Sequence, residues 1–180
     1  MLTDGANAPL SITIPFGTLT PGTSTTPSTV EVRFRIRSKH NSGYVLRASA
    51  SFAATPTSVQ AGGATVAASD IGIGLAVSPA QGVILPRSDQ VSPGFAYNPG
   101  AVLALNGESP YGGRLMGQAT LNDIVASPGL SVLSGPKIAN TDNGNASGDY
   151  LTVIVTLGLV RQFTTPCTLS GTLTFTLERA

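Results

Sequence analysis

From Val30 to Arg37 the chain reads VEVRFRIR, a strict alternation that puts Val30, Val32, Phe34 and Ile36 on one face and Glu31, Arg33, Arg35 and Arg37 on the other. A period of two is the geometry of a pleated strand, so this stretch predicts a half-buried β-strand with one wet side. The same period recurs along the chain. PLSITIPFG sets Leu10, Ile12, Ile14 and Phe16 against small polar residues, and the run TLTPGTSTTPST then breaks it with Pro, Gly and Thr. After VEVRFRIR comes an HNSG turn, and Tyr44, Leu46, Ala48 and Ala50 carry the alternation on to Phe52, which predicts a hairpin.

VAASDIGIGLAV reads as a further strand, in which Gly72 and Gly74 suggest a bulge or a close backbone approach. Residues 78–146 form a loop-rich insertion punctuated by Pro79, Pro86, Pro93, Pro99, Pro110, Pro128 and Pro136, with room for short strands such as AVLAL and LSVL. One helix of a turn or two is predicted at TLNDIVAS, where Thr120 caps the start and Asp123 reaches back to it. Two more strands close the pattern. LTVIVTLGLV aligns Leu151, Val153, Val155, Leu157 and Leu159, and TLSGTLTFTLE aligns Leu169, Leu173, Phe175 and Leu177 across an expected kink at Gly171. These two are expected to lie side by side, joined by FTTPCT.

Many short strands between Gly and Pro turns, with little helix and no fixed repeat, predict an all-β sandwich. At 180 residues the chain suits a single domain, 1–180, with residues 1–17 as an N-terminal strand segment.

Charge narrows the partners. Only 11% of residues are charged and the formal net charge is +1, which provides no field to gather a polyanion and argues against nucleic acid. No apolar run approaches the roughly 18 to 20 residues of a membrane-spanning helix, and MLTDGANAP has neither the basic start nor the apolar core of a signal peptide. Either a mature secreted protein given an initiator Met or a native start, such as a phage structural protein would have, fits that opening. The lone Cys167 excludes an internal disulfide.

The runs ITIPFGTLTPGTST, VEVRFRIRSKHNSGYVLRASASF and SGDYLTVIVTL together resemble the pattern of secreted bacterial immunoglobulin-like β-sandwich proteins of the fimbrial and spore-coat kind. That resemblance covers about half the chain, at its two ends. It implies an immunoglobulin-like or pilin-like sandwich, a secreted or cell-surface location and a structural role. The chain departs from chaperone-assembled pilus subunits in having no cysteine pair and no penultimate tyrosine, since it ends Leu177, Glu178, Arg179, Ala180.

Residues with chemical capacity are few. His40 sits at a turn beside Lys39 and Arg37, where cationic neighbours disfavour its protonated form, and no G-x-S-x-G elbow supplies a serine for it to activate. The reading is non-enzymatic, with Cys167 as a buried structural thiol and no cofactor required. NTDNGNASGD, residues 140–149, crowds Asp142, Asn143, Asn145 and Asp149 into a glycine-containing loop, a weak candidate calcium site that a tight turn also explains. Asn145-Ala146-Ser147 is in addition a glycosylation sequon.

In PGFAYNPG and SPYGGR the aromatics Phe95, Tyr97 and Tyr111, with Asn98, Asn106 and Arg114, offer stacking and hydrogen bonds to a surface glycan, or else pin long loops to the body. The arginine row has its own bland explanation: outward charge solvates a strand and guards an edge against random pairing.

Three function classes follow. The first is a structural subunit that self-associates into a fibre, pilus-like filament or surface layer; the second is a monomeric adhesin or carbohydrate-binding module using the central loops; the third is a phage or viral capsid or tail component. For the first, Leu10, Ile12, Ile14 and Phe16 form an alternating strand between a polar leader and a Thr/Gly/Pro linker, able to complete its own sheet or that of a second copy.

Overall fold

In the computed structural model the described residues are 2–3, 9–14, 28–38, 41–56, 65–79, 90–98, 102–103, 114–115, 119–138, 150–159 and 167–180. They are mostly strand: β1 (Leu2–Thr3), β2 (Leu10–Thr13), β3 (Ser28–Arg37), β4 (Tyr44–Pro56), β5 (Ile71–Pro79), β6 (Gln90–Val91), β7 (Val102–Leu103), β8 (Arg114–Leu115), β9 (Leu130–Gly135), β10 (Leu151–Leu159) and β11 (Cys167–Arg179). One α-helix, α1 (Leu121–Ala126), and two single 3-10 turns, Ala68–Asp70 and Pro93–Phe95, are present among them.

Two sheets share the core. The first has the order β1-β3-β10-β5, antiparallel except for β1 beside β3, and the second has the antiparallel order β2-β11-β4-β9-β6; β7 and β8 pair separately. The predicted all-β sandwich is thus the fold, and it is not closed into a barrel. Alternation decides which residues meet between the layers. Phe34 and Ile36 of β3, Val153, Val155 and Leu157 of β10, Tyr44 and Leu46 of β4, and Leu173, Phe175 and Leu177 of β11 are all buried in one cluster. Across the interlayer space the rings of Phe34 and Phe175 stand 4.8 Å apart and tilted, which places β3 over β11.

The predicted hairpin is not formed. β3 belongs to the first sheet and β4 to the second, so the turn at 41–43 carries the chain over the sandwich edge. Gly43 makes that crossing at φ +92, and a Cβ there would lie 2.5 Å from the Gly135 carbonyl oxygen. The last two strands are likewise not neighbours in a sheet, because β10 pairs with β3 and β5 whereas β11 pairs with β4 and β2. Alternation specifies which face of a strand is apolar but leaves open which strand lies beside it, and two adjacent amphipathic strands can bury their faces equally well by facing each other.

The glycines need similar correction. β5 runs along β10 without a register break from Ile71 to Pro79, so of the two readings for its glycines the bulge falls away, and at Gly72 the close backbone approach is found, to Thr120. The register irregularity lies between β4 and β9, where Leu46 faces Leu133 and Arg47 faces Ser131, so the extra residue is Val132 of β9. β11 continues unbroken through Gly171. The helix matches its prediction. The Asp123 carboxylate accepts the Thr120 N–H at 2.6 Å and the Thr120 hydroxyl at 3.0 Å, and α1 buries Leu121 and Ile124.

Candidate self-assembly edge

The N-terminal segment meets the sandwich along one side. β1 lies parallel to the end of β3, with Leu2 beside Ile36 and Thr3 beside Arg37, and Leu2 is buried. The polar leader of the sequence reading therefore contains a core residue, which a solitary leucine gives little means to recognise. β2 runs antiparallel to β11, with Leu10 opposite Phe175, Ser11 opposite Thr174, Ile12 opposite Leu173 and Thr13 opposite Thr172. The Ile14 N–H donates to the Gly171 carbonyl at 3.1 Å and extends the ladder by one residue.

The apolar row expected at Leu10, Ile12 and Ile14 does face inward. Leu10 and Ile12 are half-buried against the core and Ile14 is buried. Phe16, the fourth residue of that row, lies outside the described residues. On the outer face Ser11 and Thr174 oppose each other with their hydroxyl oxygens 3.2 Å apart.

The inward side chains fit by size across three strands. Leu10, Phe175 and Ala48 form one row, and Ile12, Leu173 and Ala50 the next; in both a large β11 residue stands beside an alanine of β4. The third row reverses this, with Gly171 between Ile14 and Phe52. A Cβ on Gly171 would lie 2.9 Å from Ile14 Cδ1, 3.1 Å from the Ser51 carbonyl oxygen and 3.4 Å from Phe52 Cδ2. The missing side chain is filled from both sides. Sequence reasoning took Gly171 for a kink and missed this seat, since the signal is a small residue in an otherwise bulky alternating row.

Glu31, Arg33 and Arg35 are exposed, as the alternation requires, and Arg37 departs from the row. Arg33 pairs with Glu31 on its own strand with both side chains largely exposed, a contact worth little in water. The Arg35 guanidinium carbon sits 4.2 Å from the centre of the Tyr150 ring. Arg37 is half-buried, and its Nε and Nη2 are buried without an acceptor.

The other candidates are scattered. Of the proposed ligand loop, Phe95 is buried in the core, which suits the pinning role rather than stacking on a ligand. Tyr97 is 41% exposed and hangs from β5 by its N–H, which donates to the Leu75 carbonyl at 3.0 Å; Asn98 is exposed beside it. Arg114 begins β8, while Asn106 and Tyr111 lie outside the described residues. So do His40 and the entire calcium loop with Asp142, Asn143, Asn145 and Asp149.

Cys167 is a half-buried free thiol that opens β11 and packs on the core. Among the described residues no three His, Cys, Asp or Glu side chains gather as metal ligands, and no helix is long and apolar enough to cross a membrane. Comparison with known protein families, with curated proteins and with solved structures finds no match for this chain.

Proposed function

We propose that this protein is a non-catalytic structural subunit of the cell surface or extracellular space, which self-associates into a fibre or layer by passing its N-terminal strand to a second copy. The observation that carries the reading is the attachment of β2: among the described residues it pairs with β11 alone, over four residue pairs, yet sets its apolar row into the inner face of that sheet. A short strand with one hydrogen-bonded neighbour can leave without breaking any other ladder, and an identical strand from a neighbour can take its seat. Residues 14–27 join β2 to β3. Extended, fourteen residues span up to about 46 Å, more than twice the roughly 16 Å radius of gyration of a domain this size. Sparse charge, threonine-rich strands and the resemblance to secreted fimbrial and spore-coat sandwiches support the same reading.

The test uses the directly opposed pair Ser11 and Thr174. Since Ile14 and Gly171 form a hydrogen-bonded pair, Ser11 and Thr174, three steps along, are a non-hydrogen-bonded pair, the closer kind and the better suited to a disulfide. Ser11→Cys and Thr174→Cys, each in a Cys167→Ser background, are mixed and oxidised. Strand passing predicts a mixed disulfide dimer, and the two cysteines placed in one chain predict a ladder of covalent multimers. If mixing yields no cross-linked dimer and the doubly substituted chain closes only on itself at every concentration, β2 belongs to its own subunit and the proposal is wrong.

A further inference from the structure

Main-chain pairing does not read sequence. A strand with apolar residues at every second position can slip by two along β11 and still present an apolar inner face, so hydrogen bonds alone leave the register of an added strand open. The side chains must choose, and on β11 the inward row is uniform except at one place: Leu169, Leu173, Phe175 and Leu177 are bulky, and Gly171 is empty. The gap is occupied. Ile14 reaches to 2.9 Å from where a Cβ of Gly171 would stand, and Phe52 closes it from β4 at 3.4 Å.

We infer that the Gly171 notch and the bulk of Phe175 together set the register, and hence the specificity, of the strand that adds to β11. In the observed register the largest β11 residue, Phe175, faces Leu10, and the branched end of Ile14 enters the notch. A slip of two in one direction leaves an isoleucine, Ile12, at the notch but replaces Leu10 by Ala8 opposite Phe175, so Phe175 disfavours that slip; in the other it brings Phe16 to a notch already bounded by Phe52, so Gly171 disfavours that one. The acceptor edge therefore fits an extended, uncharged segment with alternating apolar residues and an isoleucine-sized side chain at the notch, which is what the N-terminal segment of a second copy carries. That the segment comes from a second copy rests on the assembly reading; the notch acts on whichever chain supplies the strand.

The test is a coupling experiment in the full-length protein: wild type, Gly171→Ala, Ile14→Ala and the double variant, read by hydrogen exchange at the residue-14 amide, which donates to the residue-171 carbonyl. A methyl forced against Ile14 should speed exchange roughly tenfold, the usual scale of overpacking. In the Ile14→Ala background the same methyl should have a clearly smaller effect, because the nearest obstacle is gone and only the Ser51 carbonyl and Phe52 remain.

An equal effect in both backgrounds overturns the inference, since Gly171 would then be needed only for the Ser51 carbonyl and Phe52. Should Gly171→Ala alone fail to fold, rescue by Ile14→Ala supports the notch, and failure of the double variant while Ile14→Ala folds overturns it. The mixed-disulfide experiment answers the other question independently. Coupling without any exchange between copies would remove the assembly reading and leave the notch as the register device of an internal strand.

Discussion

Replacing Ile14 by alanine should separate the rate of strand passing from its extent. Ile14 is 7% exposed and fills the space over Gly171 beside Phe52. Removing a buried isoleucine costs about 2 to 5 kcal/mol, and this site belongs at the low end, near 2 kcal/mol, because it lies at a strand end where a half-buried Phe52 can lean into the gap. In the proposed exchange the same contact is lost when β2 leaves its own subunit and regained when it enters another. The loss therefore cancels in the exchange equilibrium but lowers the barrier to opening by up to that amount. A full 2 kcal/mol is about thirtyfold in rate; a transition state that retains part of the contact gives about fivefold. The assay is the time course of mixed disulfide between the Ser11→Cys and Thr174→Cys chains, with and without Ile14→Ala in both. The initial rate should rise within that range while the plateau stays within about twofold, a shift of roughly 0.4 kcal/mol. A plateau lowered by more than about tenfold, some 1.4 kcal/mol, would show that Ile14 is seated in only one of the two states and would refute the cancellation. An unchanged rate, with the stability loss present, would show that β2 release is not the limiting step.

Three further substitutions test the frame that presents the edge. Phe175→Ala removes a fully buried ring that stacks at 4.8 Å on Phe34, with only Ala48 beside it on β4 to fill the void; urea unfolding should show a loss of about 3 to 5 kcal/mol with little change in slope. Gly43→Ala should destabilise by at least about 1 kcal/mol, since its φ of +92 and the Gly135 carbonyl at 2.5 Å both reject a side chain, and a gain in thermal midpoint would contradict the crossing turn. Arg47→Ala removes a 2.7 Å contact with Glu178 between side chains that are 42% and 48% exposed and a part-buried 3.0 Å bond from Nη1 to the Gly129 carbonyl, so thermal unfolding should show a loss of about 1 to 2 kcal/mol, carried mainly by the second bond and weakly dependent on salt.

The strands, the short helix and the inward rows were legible because each depends on residues near one another in sequence. Thr120 and Asp123 are three apart, and the Phe34 and Ile36 face is set by the pleat alone. Partnership between strands was not legible for β3 with β4 or β10 with β11. Both pairs could have buried their apolar faces as hairpins or as opposed layers, and the choice is made by the whole sandwich, in which β10 lies between β3 and β5, and β11 between β2 and β4. The candidate edge was half legible. The alternation singled out Leu10, Ile12 and Ile14, but Gly171, 157 positions beyond Ile14, carries meaning only once the strand beside it is known.

The N-terminal segment closes the sandwich at two points on one side, and this bears on what a passed strand must do. β3 and β11 face each other through Phe34 and Phe175, β1 lies against the first and β2 against the second, and Leu2 and Ile14 are both buried. The two attachments are unequal. β1 makes two residue pairs at the end of β3, beside an Arg37 whose Nε and Nη2 are buried without an acceptor, whereas β2 makes four pairs and seats a side chain in the Gly171 notch. Unpaired guanidinium N–H groups are costly where water is excluded, so the end of β3 where β1 sits carries a penalty at Arg37, and the β11 edge has no such group among the described residues. Specificity should therefore reside in β2, with β1 as the weaker latch that must open for the longer strand to travel.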